Sequence, residues 1–234
     1  MERKIDKLTV LTSVFIFVYA ASLIVQSIIS RSAPSSLPGN VSVPVSAGVI
    51  LGYISFGMLI FGGVMLLIRK NIKIAFIGIG VFVLYRLVNS VAGLTVLADL
   101  YDKFADGAAL MMISKIVYIV FLIIFMIYTA ALSFLPDNPL GRTWFIPGAV
   151  FSVYAAYIIY SAVRTLFEVG ERYYIGIASV TEEVVETFTL LEIVLIATTV
   201  LALILAFMIP ASFARGWKAH LNTTEDMNNE EQNS

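Results

Sequence analysis

Cysteine is absent from the 234 residues, and histidine occurs once, at His220. The first absence excludes disulfides, thiol catalysis, Cys-ligated zinc and iron–sulfur clusters. The second excludes a His-based catalytic triad, a haem and any multi-His metal site. Charge is scarce too: Asp, Glu, Lys and Arg make up 13% of the chain, with a formal net charge of -1. No run of Lys and Arg approaches the clustered basic patch that phosphate backbones need, so no nucleic-acid partner is expected. No Walker motif, HExxH segment or Ser–His pairing occurs, and the chain is expected to be no enzyme and to carry no cofactor. What fills the sequence instead is apolar. Hydrophobic residues make up 59% of it, the mean hydropathy is +0.93, and these residues fall in runs rather than at an amphipathic period. That is the composition of an integral membrane protein.

Six runs, at about 8–29, 45–68, 72–98, 109–135, 144–167 and 188–209, are each long enough at about 1.5 Å per residue to cross a hydrocarbon core of about 30 Å. They predict an all-α, polytopic transmembrane helix bundle over residues 1–210, followed by a polar, Asn/Glu-rich tail at 211–234 that cannot bury enough apolar surface to fold alone. That tail is expected to be disordered and cytoplasmic. A cleaved signal peptide is the competing reading of the first run, because Arg3, Lys4 and Lys7 precede it and Ser30, Ser32 and Ala33 follow. Its apolar region, however, exceeds the usual length of about 7–15 residues, and Arg31 and Pro34 crowd the cleavage positions. Between the fourth and fifth runs, Pro136–Thr143 reads as a turn.

Loop charge sets the expected orientation. The basic start, the turn containing Arg69, Lys70 and Lys73, Arg142, and the tail's Arg215 and Lys218 fall on one side, against Arg31, Lys103 and Arg172 on the other. Both termini are therefore expected to be cytoplasmic, in the plasma membrane or a secretory-pathway membrane. On the opposite side, Asn40-Val41-Ser42 is a glycosylation sequon, which makes Asn40 a candidate acceptor. Gly48 and Gly52 present a small-xxx-small face for close helix approach, within the bundle or in a homo-oligomer. A faint repeat relates Val81–Tyr85 to Val150–Tyr154 and suggests three stacked hairpins.

The polar residues inside the runs carry the functional signal, since an ionisable group in hydrocarbon costs at least about 2.5–3.5 kcal/mol by insertion scales. Counted from the cytoplasmic ends, Gln26, Arg86, Asn89, Lys115, Arg164 and Glu192 all come out roughly 20–30 Å across. The inner half holds small hydroxyls and no internal charge. Tyr157, Ser161, Arg164 and Glu168 share one face of the fifth span, Thr189, Glu192 and Thr199 one face of the sixth, and Arg86, Asn89 and Gly93 one face of the third. Two readings follow. In the structural one, Arg164 and Glu192 form a buried ion pair and Arg86 snorkels outward. In the functional one, Arg86, Asn89, Lys115, Tyr157, Arg164 and Glu192 line an outward-facing polar vestibule with aromatic walls from Tyr85, Tyr118, Tyr154, Tyr157 and Tyr160, and there bind an amphiphile.

At Arg164-Thr165-Leu166-Phe167 followed by Glu171, and at Leu84-Tyr85-Arg86 followed by Asn89, the chain resembles the fungal resistance-to-aminocholesterol, or lipid-translocating exporter-like, family. Gly176, Glu182 or Glu183, Glu192 and Pro210 fall at the positions of further motif residues, whereas Glu168 stands where that family carries a second Arg. The family has seven helices and an outside N-terminus, against six spans here, and the resemblance lies mainly in the last two. It implies a role in the movement of lipids or amphiphiles.

The expected function is thus the binding or translocation of a lipid-like or amphiphilic small molecule, with membrane lipids as partners. Glu192 is the group a proton- or ion-coupled carrier would use. The alternative is a membrane sensor or scaffold that acts through its outer loops and its cytoplasmic tail.

Overall fold

The structure, a computed structural model, describes residues 7–32, 47–68, 72–101, 105–135, 139–174 and 182–232. Among these residues the fold is all-α. Six long helices follow in order: α1 (Lys7–Ser32), α2 (Ala47–Ile68), α3 (Ile72–Tyr101), α4 (Ala105–Phe134), α5 (Ile146–Tyr174) and α6 (Glu182–Gln232), with a short 3₁₀ turn at Pro139–Arg142 between α4 and α5. All six are long and apolar enough to cross a membrane, as a multi-pass integral membrane protein requires. The Asn40 sequon lies outside the described residues.

Helix ends differ from the apolar runs in an instructive way. Three of the helices reach past the hydrophobic limit, α1 to Ser32, α3 to Tyr101 and α5 to Tyr174, because backbone hydrogen bonds do not require apolar side chains. At the start of α5 the opposite happens. Trp144 and Phe145 form a turn held by Ile146 N–H to the Thr143 carbonyl, and Pro147 then occupies the first helical turn, where its missing N–H costs nothing. The largest difference is at α6. Residues 211–232 continue the helix instead of forming the expected disordered tail from Ala211. Pro210 is fully buried inside it, and Ala211, Ser212 and Phe213 are buried as well. Phe213 anchors the turn after the proline in the core, an apolar contact hidden by the Ile209–Pro210 break in the sequence.

The helices form a closed ring in which each packs on the next and α6 returns to α1, with α4 also reaching α6 across the centre. The closure is polar: the Ser212 and Thr12 hydroxyls lie 2.7 Å apart. Thr12 already donates its hydrogen to the Leu8 carbonyl at 2.8 Å, so Ser212 is the donor to Thr12. This bond places the start of α1 beside the end of the packed part of α6, at what is termed here the terminal face. The other end of the bundle is the distal face.

Glycines set how closely the terminal half packs. A Cβ on Gly78 would lie 2.6 Å from both the Gly62 nitrogen and the Met58 carbonyl oxygen, so α2 and α3 cross backbone to backbone. Gly63 takes the Ile16 side chain of α1, and Gly148 takes the Phe207 ring of α6. Higher up, Gly52 receives the Tyr85 hydroxyl, which makes that notch of the Gly48/Gly52 face an intramolecular one.

Candidate functional site

Between the helices lies a partly open cavity of about 270 Å³ to which all six contribute. Toward the terminal face its wall is apolar, with Leu122 and Phe125 from α4 and Leu205 and Ile209 from α6. Further toward the distal face aromatic and polar side chains enter the wall, Tyr19 and Gln26 from α1, Arg86 from α3, Tyr118 from α4, Tyr154 from α5 and Thr198 and Thr199 from α6, alongside the apolar Ile158 and Leu195. The cavity therefore has both apolar and polar lining.

Among the described residues, Arg86 is the only charged one that lines the cavity. Its guanidinium carbon lies 5.7 Å from the centre of the Phe82 ring one turn earlier on α3, a cation–π distance. Phe82 is braced edge-on by Tyr19 at 6.2 Å and 89°. On the other side, Tyr118 and Tyr154 stack at 4.6 Å, and both adjoin Phe151. Tyr19 and Tyr118 line the same cavity as the guanidinium. Even so, the Arg86 Nε is buried without a hydrogen-bond partner. Unpaired buried donors are costly, and a charged one especially so.

Of the remaining residues expected in the vestibule, Lys115 is the only one that comes near Arg86. Its Nζ packs against Gly93, where an added Cβ would lie 3.2 Å away, two turns of α3 beyond Arg86 and outside the cavity lining. Asn89 faces outward from α3, and Tyr157 is half-buried but does not line the cavity. Tyr85 fills the Gly52 notch, and Tyr160 is 65% exposed. Of the expected aromatic wall, Tyr118 and Tyr154 stand.

The expected Arg164–Glu192 ion pair does not form. Arg164 points away from the bundle, 63% exposed, and its Nε donates to Glu168 Oε1 at 2.6 Å one turn along the same helix. Similar depth on neighbouring helices does not imply facing sides, and a partner four residues away on the same helix needs no rotation to be reached. Glu192 is half-buried, with its Oε2 buried and unpartnered. It lies on the face of α6 that carries Leu195 and Thr199, one turn beyond the cavity lining.

Tyr19 is the site residue that sequence reasoning misses. It sits in the middle of an apolar run, seven residues before Gln26, and that spacing puts both on one face of α1. The pairing was the available signal. Compared with protein-family models, curated proteins and solved structures, the chain has no match.

Proposed function

We propose that this multi-pass membrane protein binds an amphiphilic, lipid-like small molecule inside its helix ring, as a binding protein or carrier rather than a catalyst. The observation that carries the reading is the graded cavity, apolar toward the terminal face and aromatic with a single unpaired Arg86 Nε toward the distal face. Ligand sites in helix bundles are concave and mostly apolar, with a few polar groups that fix orientation, and their volumes run from about 300 to 1,000 Å³. A cavity of about 270 Å³ falls just below that range and suits a single-chain molecule. The resemblance of the last two spans to a lipid-translocating exporter-like family would extend the role from binding to movement between leaflets, in the plasma membrane or a secretory-pathway membrane.

The test is photolabelling of the purified protein in lipid nanodiscs with a neutral dodecanol that carries a diazirine in its chain. Crosslinks mapped to Phe125, Ala202 and Leu205, and lost in Ala202→Phe, are the expected result. Labels confined to outward-facing residues such as Val153 and Ile193, unchanged in that variant, would overturn the reading.

A further inference from the structure

We infer that the molecule held in this cavity is a single-chain amphiphile with one negative charge, of the carboxylate class. This rests on the reading of the cavity as an amphiphile site and adds the headgroup. Among the described residues Arg86 is the single charged one of the lining, and no Asp or Glu among them shares the cavity with it. The groups packed around its guanidinium are Phe82, Tyr19, Tyr118 and Tyr154. A guanidinium offers donors only, and each tyrosine hydroxyl can donate one hydrogen as well as accept. The polar end of the cavity thus carries one positive charge, and among the described lining residues its acceptors are hydroxyls and the Gln26 carbonyl, none of them anionic.

A carboxylate supplies the missing complement. One oxygen accepts from Arg86 and the other from a tyrosine O–H, in the planar arrangement that guanidinium and carboxylate share. Charge arithmetic selects among anions. One buried cation is neutralised by one negative charge, whereas a phosphate monoester brings about -1.5 to -2 into a space that a single guanidinium balances. The next cation, Lys115, packs at Gly93, seven residues along α3 from Arg86, and does not line the cavity. A cationic amphiphile meets Arg86 with like charge. Below the headgroup, Leu122, Phe125, Leu205 and Ile209 provide the apolar wall for one chain.

The experiment extends the photolabelling assay to competition. Dodecanoate, dodecanol, dodecyl phosphate, dodecyltrimethylammonium and acetate are compared as blockers of cavity labelling, with the chain-bearing competitors expressed as mole fractions in the bilayer, at a pH where the carboxylate is ionised. Dodecanoate is expected to block at about tenfold lower mole fraction than dodecanol, the difference that a charge-assisted contact to a buried guanidinium carries. Arg86→Gln is expected to close that gap, and Arg86→Lys to keep part of it. Should Arg86→Gln fail to fold, the competitor order in the wild type decides alone. Equal blocking by dodecanoate and dodecanol would overturn the headgroup inference and leave the amphiphile reading standing. Stronger blocking by dodecyl phosphate or by the ammonium compound would overturn the carboxylate class. Blocking by acetate at the same concentration as dodecanoate would remove the role of the chain, and absence of cavity labelling by any probe would remove both proposals.

Discussion

The two halves of the bundle are built on opposite rules. At the terminal end, contact is close and every buried polar group discussed here is paired: Gly78 against the Gly62 and Met58 backbone, Gly63 around Ile16, Ser212 to Thr12, and Ser13 to the Thr9 carbonyl at 3.0 Å. At the distal end, charge is held loosely. The Arg86 Nε and Glu192 Oε2 are buried without partners, and Lys115 rests in the notch of Gly93. A membrane bundle gains no hydrophobic driving force between its helices, so its cohesion has to come from close packing and hydrogen bonds. The terminal half supplies both. The distal half is thereby free to keep polar groups in arrangements that do not serve cohesion.

Four substitutions test that contrast. The strongest effect is expected from Gly78→Ala, because the new methyl meets backbone atoms at 2.6 Å that no side-chain rotation can relieve. A loss at or above the usual overpacking cost of about 1–3 kcal/mol should appear as a lower melting temperature in detergent. Thr12→Val comes next. It leaves the Ser212 donor without its acceptor, and an unfolding titration should show a loss within the range of about 0.6–1.7 kcal/mol measured for polar contacts between membrane helices.

Glu192→Gln tests the other half. With no ion pair to break, the variant should be as stable as the wild type or slightly more so, instead of losing the roughly 3–5 kcal/mol that follows when a buried pair is broken. A large loss in thermal stability would reveal a partner and remove the contrast. The smallest effect belongs to Arg164→Gln, whose exposed pairing with Glu168 should leave the melting temperature unchanged and photolabelling of the cavity intact.

Architecture was largely legible in the sequence, because runs of Leu, Ile, Val and Phe mark the hydrocarbon depth directly. The number of helices and the inner boundaries of α2 and α3, at Ile68 and Ile72, follow from it. Less legible was where helices outlast the apolar run. The burial of Phe213 after Pro210 depends on contacts with other helices, and hydropathy along one chain does not contain them. The site divides along the same line. Depth is a count of residues and can be read along one chain. Rotation about each helix axis is set by packing. It sent Arg164 outward to Glu168, turned Asn89 away from the cavity, and brought Tyr19 in beside Arg86.

The hydrogen bond between Thr12 and Ser212 joins positions 200 residues apart. As the chain is synthesised, α1 enters the membrane first and waits for its last neighbour until α6 has been made. In the interval, Thr12 has only its own helix to bond to, through the Leu8 carbonyl, and the face that will meet α6 lies against lipid. The five-helix intermediate is an open arc with two unsealed edges, and the cavity gains its sixth wall only when the final helix closes it. The complete cavity wall is therefore something the nascent chain acquires in one step, with its last helix.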